Sequence, residues 1–199
     1  MYKIILASQS PRRRALLERL GLPFEVIPSG AKEYMELEHS PYEWVKVLSH
    51  RKALAVADKV QGPAVIIGAD TIVTYLGKIL NKPENNEEAA SMLRLLSGKL
   101  HTVYTGVTLF FIDENGNMEN ESFVDATEVS FNSISTDEIE SYLATGEYSD
   151  KAGGYAIQGK ASIFIDYIKG SPDTVIGLPL SILYTTLKKH GIDITSYWK

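Results

Sequence analysis

The 199-residue sequence has no cysteine. That one absence excludes disulfides, thiolate metal sites and thiol nucleophiles, and it fits a reducing compartment. Long apolar runs are also missing. The stretch IILA near the N-terminus is too short for a signal peptide, and nothing approaches the roughly 18 residues needed to cross a bilayer. We therefore expect a cytoplasmic protein with no membrane partner. Histidine is scarce, with four in the chain, and no pair has the spacing of a zinc site. Positive charge is scarce as well: 20 Lys and Arg stand against 25 Asp and Glu, a net charge of −5, which argues against stable nucleic-acid binding. The glycine loop G-x-x-x-x-G-K-[ST] that cradles phosphates in P-loop proteins is absent. What is present is an ordinary globular composition, 44% apolar and 23% charged, with no repeat, low-complexity tract or linker. The expectation is one domain over residues 1–199, with two lobes on one long sheet.

Strand and helix signals alternate along the chain, which points to an α/β fold. A strand over 2–7 leads through SQSP to a helix over 11–20, with Ser10 as N-cap, Pro11 at the first position and Gly21 as the stop. A second strand follows at 24–28. SPYE at 40–43 is a capping box that opens a helix to about Asp58. PAVIIGAD reads as a buried strand ending on Asp70, and TIVTYLGKIL as a hairpin turning at Leu76 and Gly77. A helix capped by Asn86 stops at Gly98. Strands at 101–112 and 120–131 are joined by DENGN, whose Asn115 and Gly116 suit a type I′ turn. STDE at 135–138 opens a helix ending at Gly146, residues 149–161 form a glycine-rich loop, SIFIDYIKG returns to strand, and a last helix covers 179–190.

Several residues do not suit a bland core. Arg12, Arg13 and Arg14 occupy the first turn of a helix, whose N-terminus already carries about half a positive charge, so each costs about 0.3–1 kcal/mol there. An anion bound at that end removes the conflict. Arg14 is the one expected to face solvent, paired with Glu18 one turn on. Asp70 closes an apolar strand, where it is either a turn former or a carboxylate at the ligand-binding end of an α/β sheet. Lys52 projects from the apolar stripe of Val45, Leu48, Ala55 and Val56, opposite Lys46 and His50; it either snorkels to water or aims a cation at a site. Lys82, before a proline, reads as solvated when taken alone. Glu33, in AKEYMELEH, reads the same way unless a hard cation needs oxygen ligands nearby. Together, Arg12, Arg13, Lys52 and Lys82 can surround a polyphosphate, with Ser8 and Ser10 adding hydroxyl donors.

These motifs have a known counterpart. LASQSPRR (6–13), the helix with Lys52, GADTIV (68–73), KP (82–83), AASMLRLLSGKLHTVYTG (89–106), DKAGGYAIQGKAS (150–162) and GLPL (177–180) resemble, in order and over nearly the whole chain, the Maf family of nucleoside triphosphate pyrophosphatases. The resemblance implies a mixed α/β fold similar to the inosine triphosphate pyrophosphatases, an elongated mixed sheet with flanking helices and two lobes around a cleft. It implies hydrolysis of a nucleoside triphosphate to the monophosphate and pyrophosphate, with Mg²⁺ or Mn²⁺ as cofactor and a homodimer as the assembly. Asp70 resembles the family's proton acceptor, and Asp70 and Glu33 are the metal ligands we expect. Arg12, Thr71 and Gln158 resemble the residues that set substrate choice. A sister subgroup acting on 7-methyl-GTP has Trp, Gln and Glu at these positions, so this chain follows the dTTP/UTP pattern at all three. One departure is GGYAIQG, where relatives often read GAYGIQG.

The chemistry agrees. Water attacking an α-phosphorus needs a base and cations for the leaving pyrophosphate, but no covalent nucleophile. A glutamine amide at position 158 can accept from the N3–H of uracil or thymine and donate to the adjacent carbonyl; otherwise it is a loop glutamine facing solvent. Two rival functions remain at this level. LASQSPRR faintly resembles the LAAGxGxR opening of sugar-nucleotide synthesising nucleotidyltransferases, though without the glycines. The family has also been associated with inhibition of septum formation, which suggests a non-enzymatic regulator.

Overall fold

The computed structural model describes residues 2–32 and 39–198. Seven strands form one mixed sheet in the order β2-β1-β3-β5-β6-β7, with β4 paired to β3. The strands are β1 (Lys3–Leu6), β2 (Glu25–Val26), β3 (Ala64–Tyr75), β4 (Lys78–Leu80), β5 (Leu100–Ile112), β6 (Met118–Phe131) and β7 (Ile165–Lys169). The helices are α1 (Pro11–Glu18), α2 (Pro41–Ala57), α3 (Asn86–Leu96), α4 (Thr136–Leu143), α5 (Pro172–Ile176) and α6 (Leu180–Lys189). Pairing is parallel between β1 and both β2 and β3, and antiparallel for β3 with β4 and β6 with β7. This is the mixed α/β class that the alternation of elements implied.

The chain divides into two compact units. The first comprises residues 1–70, 105–125 and 177–199, the second 71–104 and 126–176. In the first, the central apolar strands bury Ile5, Ala7, Ile66 and Phe110 against Ala53 and Val56 of α2. In the second, Leu93 and Leu96 of α3 and Ile139 of α4 pack with Val103, Phe131 and Phe164.

Three of the capping signals read from sequence are used as expected. Ser40 with Glu43 and Ser135 with Glu138 form complete capping boxes, and Ser10 accepts from the Arg13 N–H. Other expectations are corrected. The N-cap of α3 is Asn85, whose side-chain Oδ1 accepts from the Glu88 N–H at 2.9 Å, so the helix begins at Asn86. At 113–117 the turn is not type I′, because Gly116 has positive φ and Asn115 does not. The Asp113 carboxylate instead accepts from the N–H groups of Asn115 and Asn117, both at 2.8 Å, which is a side-chain-built turn. The two-residue turn with both φ positive is at Leu76 and Gly77, as the hairpin there requires. SIFIDYIKG is strand only from Ile165; its first residues lie in a tight helical turn over Lys160–Phe164. The short α5 carried no sequence signal that we read.

The most consequential correction is β3. The strand does not end at Asp70 but continues to Tyr75, because the β-branched residues of TIVTY keep the ladder going and pair with β4. The neighbours end instead. β1 is in register with β2 only as far as Leu6 and Val26, and with β3 only as far as Leu6 and Ile67. Asp70 therefore stands three residues beyond the carboxyl edge of its parallel partner, where the chain leaves β1 toward Ser8 and Ser10. The strand end beside which Asp70 stands is thus that of β1, not of β3.

Candidate active site

In the first unit, a helix lies unusually close to the sheet. A Cβ on Gly68 of β3 would fall 2.6 Å from the Ala53 nitrogen of α2, and a Cβ on Gly106 of β5 would collide with the Val45 carbonyl. Ser49, between these contacts, extends the seam through a chain of hydroxyls, two of them buried and the last, on Ser122, half-buried. Its Oγ is 3.0 Å from Thr108 Oγ1, which is 2.8 Å from Ser122 Oγ. Successive strand residues face opposite sides of a sheet, so Asp70 shares the α2-facing side with Gly68. Lys52, next to Ala53, meets it there: Lys52 Nζ donates to Asp70 Oδ1 at 2.6 Å, with each residue only 7% exposed. Lys52 does not snorkel to water. Around it, the stripe is Val45, Leu48, Ser49, Ala53 and Val56; Ala55 is only half-buried, and His50 is not on a wholly polar face, since its ring packs on Phe110 with 5.2 Å between centroids.

The start of α1 forms a second cluster in the same unit. Ser8 Oγ accepts from the Ser10 N–H at 3.2 Å and from Arg13 Nη1 at 3.3 Å, and Arg13 Nε donates to the Gly177 carbonyl at 2.9 Å. Part of the Arg13 guanidinium is thus committed to holding the Ser8 loop and the Gly177 turn. Ser10 Oγ accepts from the Arg13 N–H at 3.4 Å. Both serines are used as acceptors in these bonds, so each hydroxyl keeps a proton to donate to an anion. Arg14 pairs with Glu18 on the surface at 2.9 Å, as the spacing predicts. Arg12 is half-buried at the same helix end.

In the second unit, the glycine-rich loop and the KP segment meet. Lys82 Nζ is 3.4 Å from Asp150 Oδ1, and the Gly153 N–H donates to the Asn81 carbonyl at 3.1 Å. Gly153 and Gly154 both have positive φ, and a Cβ on Gly153 would press on the Val73 side chain. Tyr155 is buried, with its hydroxyl 2.7 Å from His101 Nε2. His101 is 2% exposed and packed edge-on against Phe131; burial pushes its pKa down to about 4. Gln158 lies exposed in the following turn. Thr71 is half-buried on β3 and, next to Asp70, belongs to the opposite sheet face.

Of the expected residues, Ser8, Ser10 and Arg13 are brought together at one helix end, Lys52 meets Asp70 at the α2 seam, and Lys82 of the KP segment pairs with Asp150 of the glycine-rich loop that leads to Gln158. Glu33 lies outside the described residues. Among the described residues, no three His, Asp or Glu side chains are grouped as a metal site. Mg²⁺ retains several waters and is often held by one or two carboxylates plus substrate phosphates, so the Asp70 carboxylate suits such a site without a cluster of protein ligands. Sequence reading missed Gly68 and Gly106, although glycine inside an apolar strand signals a close backbone approach.

Residues 3–190 match the family model described as Maf-like protein. The chain belongs to the Maf family. Among curated members of that family, a dTTP/UTP pyrophosphatase from Bacillus cereus and one from Bacillus anthracis are each 48% identical to it over 195 residues, covering 98% of this chain and 99% of the relative. A solved HAM1 protein from Coxiella burnetii aligns over 95% of this chain and 100% of that one, at 18% identity and a TM-score of 0.43, a level that adds nothing to the account of this Maf protein's fold.

Proposed function

We propose that the protein hydrolyses dTTP and UTP to the nucleoside monophosphate and pyrophosphate, with Asp70 as the proton acceptor and a divalent cation, Mg²⁺ or Mn²⁺, as cofactor. The observation that carries this reading is 48% identity, over nearly the full length of both chains, to relatives named for that activity. The buried pair of Lys52 and Asp70 supports it. A carboxylate and an ammonium withdrawn from water are costly, which favours a functional reason for burying them together.

Asp70 takes the proton of the water that attacks the α-phosphorus, and Lys52 holds the carboxylate in one orientation through its 2.6 Å hydrogen bond. The helix end is suited to the departing pyrophosphate. Ser8 and Ser10 donate through their hydroxyls, Arg12 and the first N–H groups of α1 supply positive charge, and Arg13 fixes Ser8 while adding its own. Lys82 adds a further cation, and Thr71 and Gln158 take part in substrate choice. Asp70 and Glu33 would hold the divalent cation, which would supply charge neutralisation for the triphosphate. The protein acts in the cytoplasm, binds no nucleic acid stably, and works as a homodimer.

The test is product analysis on purified protein with each common nucleoside triphosphate and Mg²⁺ or Mn²⁺. Pyrophosphate and monophosphate should appear together, with UTP and dTTP the preferred substrates. Nucleoside diphosphate as the main early product, or full turnover in excess chelator, would overturn the reading.

A further inference from the structure

An exposed glutamine can discriminate between bases only if its backbone is held still, since a freely moving loop pays its ordering cost at every binding event. Before the Gln158 turn, Tyr155 is buried and hydrogen-bonded to His101 at 2.7 Å, with Phe131 against both rings. After it, the Lys160 N–H donates to Glu147 Oε2 at 3.1 Å. The other Glu147 oxygen, Oε1, is sealed from solvent and has no hydrogen-bond partner among the described residues. It lies against Gly159, where a Cβ would land on the carboxylate. The backbone of Gly159, at φ −113° and ψ −158°, suits any residue. Glycine is needed here for close approach, not for conformation.

Glu147 is itself fixed at the end of α4. Its N–H donates to Thr145 Oγ1 at 3.2 Å, and that hydroxyl donates to the Tyr142 carbonyl at 2.7 Å. Tyr142 is buried, and its ionisation is pushed up by burial and then by the nearby Glu147 charge, so the carboxylate sits close to a ring that packs on Phe164. A partly sealed carboxylate with so few donors is a poor stabilising device. Its effect is geometric: it fastens the backbone one and two residues past Gln158.

We infer that Glu147 is a positioning residue that holds the Gln158 turn, acting through Gly159 and Lys160, and so sets the discrimination of uracil and thymine from cytosine. This rests on Gln158 reading the base. In the full-length enzyme, Glu147→Ala should lower the ratio of kcat/KM for UTP over CTP by about tenfold, mainly through KM, while kcat on saturating UTP changes less than twofold. Amide exchange at 157–160 should accelerate. Glu147→Gln keeps an oxygen for the Lys160 N–H and should restore most of the ratio. Gly159→Ala should reproduce the defect, and adding it to Glu147→Ala should cost little more, because the carboxylate it collides with is gone.

Gln158→Ala is measured alongside. If it lowers the UTP to CTP ratio and Glu147→Ala does not, the positioning role is wrong and base reading stands. If neither variant moves the ratio, base reading at Gln158 fails and the inference fails with it. An equal loss on all substrates in both Glu147 variants, with a fall in Tm, would mark the residue as purely structural and overturn the inference.

Discussion

The α2 seam and the Gln158 turn solve opposite problems. At the seam, two opposite charges are buried together, and the backbone of α2 is pressed onto two glycines so that Lys52 reaches Asp70. At the turn, the side chain proposed to meet the substrate is exposed, and only the backbone beside it is fastened. The first arrangement suits a reaction whose transition state is the same for every substrate. The second suits a choice among substrates, because a change at the tip alters what is recognised without disturbing the core. On the proposed roles, chemistry is held by packing and selection by anchoring.

Removing the seam's chemistry should have the largest effect. Asp70→Asn keeps the shape but removes the base, so kcat should fall by about a hundredfold or more on UTP and dTTP alike. A substrate-dependent loss in steady-state kinetics would break the comparison. Lys52→Met tests the same pair from the other side. A lysine that only snorkels would tolerate this change, but here it leaves Asp70 buried without its counter-charge. Stability to urea should drop by about 3 kcal/mol, together with turnover, and less than additively in the double variant with Asp70→Asn.

The second unit should fail by pH before it fails by charge deletion. His101 is held neutral by burial, with its pKa at about 4 against 6.5 when exposed. Between those values the unfolded chain binds the extra proton, so stability falls as pH drops from about 6.5 toward 4, by up to roughly 3 kcal/mol. The Tm of the wild type should fall through that window, and in His101→Phe the fall should be shallower. The smallest effect belongs to Arg14→Ala. Its pair with Glu18 is on the surface, so Tm and kcat/KM should be nearly unchanged, with about 0.5 kcal/mol as the ceiling. A large kinetic loss would mean that this arginine, too, faces the substrate.

The sequence made the local signals legible. Ser10, Ser40 and Ser135 cap helices because their side chains and spacing leave little alternative, and Arg14 pairs with Glu18 because helix geometry puts them one turn apart. Partners distant in the chain were harder. The β-branched run after Asp70 was legible as strand, but not its continuity with the strand before Asp70, since a strand's end also depends on which neighbours continue the ladder. The pairing of Lys52 with Asp70 depends on Gly68, whose missing side chain is visible in the sequence but whose neighbour is not. Glu147 was illegible for the same reason: its role exists only where it meets Gly159 and Lys160. The position of Arg13 at a helix start points to an anion, and the structure adds its bonds to Ser8 and the Gly177 carbonyl.

The most direct test compares Gln158→Glu with Asp70→Asn across UTP, dTTP, CTP and 7-methyl-GTP by kcat/KM. A carboxylate at 158 would face the O4 or O2 of the pyrimidine, so Gln158→Glu should cost about 1–3 kcal/mol on UTP and dTTP and less on the other two. Asp70→Asn should lower all four by a common factor. If Gln158→Glu lowers all four equally, or if Asp70→Asn changes the order of preference, chemistry and selection are not divided between these two regions.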